Sequence, residues 1–469
     1  MDTQDGAIEN RTFEEIAIGE TASLSRLLTE RDVELFAVLS GNVNPAHVDP
    51  EFARSDMFHK IVANGMWGGA LISTVLGTQL PGPGTIYLDQ SLHFRAPVML
   101  GDTITVSVTA RAKDAERHRI TFACRCVNQD GVVVIEGEAL VIAPDKKIKR
   151  PRIVLPEVRL EERGAKFHKL IELAGSLDPV RMAVVHPVEA TTLKGALAAA
   201  RAHLITPLLI GPEARIRAAA DAAQLDLSAC RIIAAPHSHA AAERAVDLVR
   251  SGEAEALMKG ALHTDEFMQP IVKRAGGLRT ERRMSHVFIM DIPSYDRPLY
   301  ITDAALNIAP DLAAKKDIVQ NAIDLAHALD LARPKVAVLS AVESVLPHIP
   351  STIEAAALCG MAHRKQITGG LVDGPLAFDN AVSPEAARMK GIDSQVAGAA
   401  DILVVPDLEA GNMIAKQLVY MADAQAAGVV VGARVPIVLT SRAGSVENRL
   451  ASCAVTARVH AYHQEKGRP

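Results

Sequence analysis

The chain has 469 residues, 49% hydrophobic and 22% charged, with 31 glycines and 25 prolines, which fits a folded multidomain protein and excludes collagen, coiled coil and disorder as its main class. A net charge of −5 and only 3% aromatic residues provide neither a field for a polyanion nor platforms for stacked bases, so no nucleic-acid partner is expected. The polar, acidic start lacks a signal peptide, the apolar runs are broken well short of the ~20 residues that span a bilayer, and the five cysteines have no zinc or Cys-x-x-Cys spacing. A cytoplasmic protein with reduced thiols, no metal and no membrane partner is the expectation.

In chain order, Thr21 to Leu28 alternates like a strand, and Thr29 caps a helix over Glu30–Leu39 with Asp32 at the third helical position. The stretch Leu39-Ser40-Gly41-Asn42-Val43-Asn44-Pro45-Ala46-His47-Val48-Asp49-Pro50 follows, and then Asn64 leads into a helix from about Gly65 to Leu80. That helix is apolar almost all round and must be buried. Four alternating runs come next, at 85–94, 103–113, 119–128 and 132–142, separated by Gly101-Asp102, Asp114 and Asp130-Gly131. One buried helix wrapped by an antiparallel sheet is the hot-dog arrangement, an α+β domain assigned to residues 1–143.

The 39–50 stretch, with Gly65-Met66-Trp67-Gly68-Gly69 after it, resembles the MaoC-like (R)-specific enoyl-CoA hydratases over about residues 10–143. The resemblance implies that an Asp and the His five positions on share the water that adds across the double bond, while a helix-terminal N–H holds the thioester oxygen. Carried over, His47 is one half of the pair and Gly65 the donor. The other half is Asn42, whose amide can position water but cannot take its proton. That removes a general-base contribution of typically ~10²–10⁴-fold, so hydration is expected to be weak or absent. Asn64 is a second departure, standing where relatives usually have His.

From residue 144 to 165 the chain turns basic and proline-rich, through Lys146, Lys147, Lys149, Arg150 and Arg152, which reads as a linker. Beyond it, in residues 166–469, short apolar strands alternate with helix-length Ala-rich segments: 181–185, 207–210, 256–258, 336–339, 402–405 and 435–439. Such alternation implies parallel βαβ units, and about 300 residues of it predict an α/β domain of two lobes with a cleft. No G-x-G-x-x-G follows an early strand and no P-loop is present, which removes the main support for a nucleotide site.

Ligands of open α/β sheets sit at strand carboxyl ends, where helix N-termini present N–H groups to anions. Three such junctions are polar: Asp373-Gly374-Pro375-Leu376-Ala377-Phe378-Asp379-Asn380, Pro406-Asp407-Leu408-Glu409-Ala410-Gly411-Asn412, and Thr440-Ser441-Arg442-Ala443-Gly444-Ser445. In this order they resemble the phosphate acetyl/butyryl transferase family over roughly residues 166–457, and Met258 to Thr264 resembles its first lobe. The resemblance implies acyl-CoA + phosphate ⇌ acyl phosphate + CoA, with those small molecules as substrates, no bound cofactor, and a homo-oligomer through both domains. By the same analogy Ser441 stabilises the transition state and Arg442 binds phosphate or CoA, while Asp373, Asn380, Glu409 and Asn412 contact substrate. Acetyl-specific members have an Asp seven residues after the Ser; Asn448 stands there and cannot ionise, so Asp379 and Asp373 are the candidate bases.

Two rival readings remain. A CoA-thioester-sensing regulatory or oligomerisation protein would suit Asn42 and Asn448, which favour binding without turnover. A dehydrogenase of the isocitrate type would need metal-binding Asp clusters and a nicotinamide loop that the sequence lacks.

Overall fold

The computed structural model describes residues 7–156, 158, 160, 163–440 and 444–467. The chain divides into two compact units, residues 1–160 and 161–469.

In the first unit the strands are β1 (Ala7–Glu9), β2 (Thr21–Leu27), β3 (Ile86–Gln90), β4 (His93–Phe94), β5 (Thr103–Asp114), β6 (Arg119–Val127), β7 (Val133–Ile142) and β8 (Lys149–Pro151). β2, β5, β6, β7 and β3 make an antiparallel sheet in that order, with β4 also on β7. The apolar positions of β5 and β6 alternate inward, so Ile104, Val106, Val108, Ile120 and Phe122 are wholly buried. Against them lies the helix Gly65–Thr78, which buries Trp67, Leu71, Ile72, Val75 and Leu76. The cap at Thr29 is reciprocal: its hydroxyl accepts from the Asp32 N–H at 3.2 Å, and the Asp32 carboxylate accepts from the Thr29 N–H at 3.1 Å.

Two details differ from the sequence expectation. The run at 85–94 is two strands, because the chain swings in at Ser91, whose carbonyl would lie 1.9 Å from a Cβ at Gly137. Part of the basic segment is also structured. β8 pairs antiparallel with β1, Lys147 bridges Glu15 at 2.8 Å and Glu9 at 3.3 Å, and Lys149 reaches Glu9 at 3.6 Å. The Lys147 hydrogen bond, with the Thr12 N–H, holds the Glu15 carboxyl down at about 2. A depressed carboxyl stabilises the fold above its ordinary titration range, and that contribution is lost as pH falls toward 2. Lys147→Met is expected to return Glu15 most of the way to the usual carboxylate range, read by NMR titration of its side-chain carbonyl carbon.

The second unit contributes β9 (Val180–Val185), β10 (Ile205–Gly211), β11 (Arg231–Ala234), β12 (Ala256–Lys259), β13 (Ser285–Asp291), β14 (Leu299–Thr302), β15 (Lys335–Leu339), β16 (Leu371–Leu376), β17 (Ile402–Val404), β18 (Gln425–Val431) and β19 (Ile437–Val438). They form one continuous sheet in the order β11-β10-β9-β12-β19-β18-β13-β14-β17-β15-β16. The α/β class is as expected, but the sheet is mixed rather than parallel throughout. β11 to β19 in that order are mutually parallel, as are β14 to β16, and between them β19/β18, β18/β13 and β13/β14 all pair antiparallel. Three reversals make the two parallel blocks run in opposite directions. β13 and β14 escape a strand–helix grammar because they are joined with no helix between them. The helix Val446–Glu465 packs on β18 and is buried nearly all round, from Arg449 through Val459.

Candidate active sites

In the C-terminal unit a cavity of about 340 Å³ opens where β19 ends. Thr440 and Gly444, the described residues on either side of the predicted Ser-Arg turn, both line it. Ser441 and Arg442 themselves lie outside the described residues. Ser445 caps the next helix, its hydroxyl accepting from the Asn448 N–H at 3.2 Å. Asn448 lines the cavity, and its side-chain oxygen accepts from the Ala426 N–H at 3.4 Å, so this amide is tied to the start of β18.

The second motif reaches the same cavity through its helix. β17 runs opposite to β19, and the helix Leu408–Met421 that follows it lies along the cavity from its first residue. Leu408, Asn412, Ala415, Lys416, Val419 and Tyr420 form one helical stripe along the cavity wall. Asn412 is held by a 3.3 Å bond from its side-chain amide to the Ala304 carbonyl, while Glu409 is exposed and off this wall.

The first motif assembles elsewhere. Asp373, Asp379 and Asn380 do not line this cavity; β16 is the edge strand of the sheet, six places from β19. Asp373 accepts from the Ser394 hydroxyl and the Gly374 N–H. Asn380 is wholly buried and donates to Glu343 at 3.4 Å; Glu343 pairs with Lys390 at 3.0 Å, and Lys390 lies 3.7 Å from the half-exposed Asp379. Both candidate bases therefore sit beside partners of their own.

Sequence reasoning missed His286. It is fully buried on β13, its Nε2 lies 3.1 Å from the Leu439 carbonyl, and its ring meets Phe288, a cavity residue, edge-on at 4.4 Å. Burial pushes its pKa down against the opposing pull of Asp303 and the Leu439 bond. The ring is accordingly neutral, with the Nε2 proton donated to a carbonyl two residues before Ser441. Gly428 is required here: a Cβ would stand 2.5 Å from that carbonyl and 3.1 Å from His286 Nε2. The only sequence signal is a histidine inside an apolar strand, which reads as core.

In the N-terminal unit a second cavity of about 340 Å³ is lined by Phe58, Val62, Asn64, Gly65, Trp67 and Phe94, among others. His47 lies on a short helix capped by Asn44, and its Nδ1 is 2.9 Å from the Val62 carbonyl. A carbonyl only accepts, so Nδ1 carries the proton and Nε2 is left as the basic nitrogen. The Asn42 side-chain oxygen accepts from the Asn44 N–H at 3.1 Å and so holds its own turn. Gly65 opens the central helix, where first-turn N–H groups have no intrahelical acceptor. A Cβ there would come within 2.9 Å of the Phe94 ring.

Among the described residues no group of three His, Cys, Asp or Glu is placed to hold a metal, and no helix is long and apolar enough to cross a membrane.

These two cavities, one at an anion-ready strand end and one at the head of a buried helix, define an acyl-transferase unit and a hydratase-like unit. Residues 238–457 match the family described as "Phosphate acetyl/butaryl transferase", and residues 15–129 match "MaoC like domain". A phosphate acetyltransferase of Rhizobium meliloti is 61% identical over 299 residues, 64% of this chain and 95% of that protein. A branched-chain phosphotransacylase from Enterococcus faecalis is 30% identical with a TM-score of 0.54, over 60% of this chain and 99% of that one. An R-hydratase of Pseudomonas aeruginosa is 40% identical over 33% of this chain and 99% of its own, with a TM-score of 0.32. The chain belongs to the phosphate acetyl/butyryl transferase family. It is a phosphate acyltransferase fused to a MaoC-like, hydratase-like domain.

Proposed function

We propose that the cavity beside Thr440 and Gly444 is where acyl-CoA and phosphate exchange the acyl group. A phosphate oxygen attacks the thioester carbon, the carbonyl oxygen becomes an oxyanion, and the carbon–sulfur bond breaks to release CoA thiolate, which is then protonated. Ser441 donates to the oxyanion and Arg442 holds phosphate or the CoA phosphates. Asn412 contacts substrate from the helix wall. Asp373, Asn380 and Glu409 are assigned to substrate binding by resemblance alone, and Asp379 or Asp373 stands in as the base because Asn448 departs from the family's Asp. The observation that carries the reading is the 61% identity over 95% of a phosphate acetyltransferase, with the predicted Ser-Arg turn flanked by two cavity residues. It is tested by phosphate-dependent release of free thiol from acetyl-, propionyl- and butyryl-CoA.

In this reading His286 is a positioning residue that fixes the strand end leading into Ser441. His286→Phe removes the donor while keeping an aromatic ring. A misplacement of about 1 Å can cost on the order of 10²-fold, so kcat is expected to fall by about 10- to 100-fold with KM for phosphate little changed. His286→Gln, which keeps an N–H, is expected to recover part of the loss. Equal losses in both variants, tracking a lowered Tm, would indicate a structural role only.

The N-terminal unit binds an acyl-CoA thioester in its own cavity, with the Gly65 N–H on the thioester oxygen; His47 and Asn42, which do not line that cavity, are assigned to the reacting carbons by resemblance alone. Asn42 leaves it without the carboxylate. Shared use of CoA thioesters accounts for the fusion, and a homo-oligomeric, cytoplasmic enzyme fits both families.

A further inference from the structure

A third cavity, of about 650 Å³, lies in the C-terminal unit at the far end of the β18–β19 hairpin from the transfer cavity. Ala426, near the start of β18, and Leu439, just after β19, line the transfer cavity, whereas Val431 and Pro436 line this one. The strand rise puts Ala426 and Val431 about 17 Å apart and Leu439 and Pro436 about 10 Å apart. The helix Val446–Glu465 gives a similar figure: Asn448 lines the transfer cavity and His463 the other, a separation of about 22 Å along the helix. The two cavities are distinct.

The third cavity has a cationic rim. Arg279, Arg282, Arg434 and His463 line it against Glu281 and Asp324. Arg282 is neutralised by Asp324 at 2.5 Å. Among the described residues no side chain pairs with the exposed guanidinium of Arg279 or of Arg434. Their backbone segments run side by side: Arg279 bridges Ala433 antiparallel, and the Arg434 N–H donates to the Leu278 carbonyl at 2.9 Å. The wall beneath is tied down, with the Thr280 hydroxyl on the Gly432 carbonyl at 2.8 Å and the Asn321 amide on the Arg283 carbonyl at 2.8 Å.

Two guanidiniums that cannot lose their protons, lining one cavity with no described carboxylate paired to either, draw in an anion. Their planar forks match phosphate oxygens, and the volume is within the ~300–1,000 Å³ of small-molecule sites. We propose that this cavity is a binding site for a phosphate-bearing small molecule, separate from the transfer site.

Calorimetric titration of the full chain with inorganic pyrophosphate, in the presence of saturating CoA to occupy the transfer cavity, tests the assignment. One pyrophosphate per chain is expected. Binding should be at least about tenfold weaker in Arg279→Ala/Arg434→Ala, while that variant keeps the parent's circular dichroism and transfer rate. Should the double variant fail to fold, Arg434→Gln alone is expected to weaken binding in the same direction. Absence of pyrophosphate binding both with and without CoA, unchanged affinity in the folded variants, or sulfate binding as tightly as pyrophosphate, which would mark an adventitious ion only, would each overturn the proposal.

Discussion

Ser441→Ala in the full chain is expected to lower kcat for phosphate-dependent acyl-CoA cleavage by about 10²–10³-fold, the usual loss when one oxyanion donor is removed. The tetrahedral oxyanion exists only along the reaction path, so kcat and kcat/KM should fall together while KM changes little. Arg442→Ala should behave differently. A guanidinium that holds phosphate or CoA already does so in the ground state, and its removal should raise the KM for phosphate or CoA as well as lower turnover. In sequence both residues fall between Thr440 and Gly444, which line the cavity, and the helix that follows is capped independently by Ser445, so circular dichroism should be unchanged. Wild-type kinetics in both variants would place the anion cradle elsewhere in the unit.

On crotonyl-CoA, Asn42→Asp is expected to raise hydration by up to about 10²–10⁴-fold over the parent, the range associated with a positioned general base. His47 already has the needed tautomer, since Nδ1 is committed to the Val62 carbonyl, and Gly65 keeps its N–H at the helix head. What is missing is an ionisable oxygen at position 42. The present amide oxygen accepts from the Asn44 N–H at 3.1 Å, a bond a carboxylate can keep with one oxygen while the other receives the water proton. The change should therefore appear in kcat more than in KM. Following the enoyl absorbance and resolving the 3-hydroxyacyl product on a chiral column would show it. If the parent hydrates crotonyl-CoA rapidly and the Asp variant is no faster, another group supplies the base.

Local chemistry was the legible part of this chain. The Thr29–Asp32 cap, the buried helix from Gly65, the Ser445 cap and the alternation of β5 to β7 are all set within a few residues of themselves, and each stands where the pattern put it. Strand direction was not legible, because it is set by pairing across long separations. β13 and β18 are apolar runs like their neighbours, yet their antiparallel pairing turns one half of the sheet over. The place of β16 at the sheet edge, six strands from β19, separates what the motifs join in sequence. Asn412 reaches the cavity at Thr440 along its helix, whereas Asp373, Asp379 and Asn380 stay with Ser394, Glu343 and Lys390. His286 was invisible for another reason: its value lies in one hydrogen bond to a carbonyl 153 positions away in the chain.

The central claim is that this chain transfers an acyl group between CoA and phosphate. Purified full-length protein is incubated with acetyl-, propionyl- or butyryl-CoA, with and without phosphate, and with a chelator present; free thiol and acyl phosphate are measured in parallel. The account predicts equimolar thiol and acyl phosphate, dependent on phosphate and indifferent to the chelator, from at least one of the three thioesters. No phosphate-dependent thiol from any of them, with CoA thioester still bound, would contradict it and turn the molecule into a binding protein without turnover.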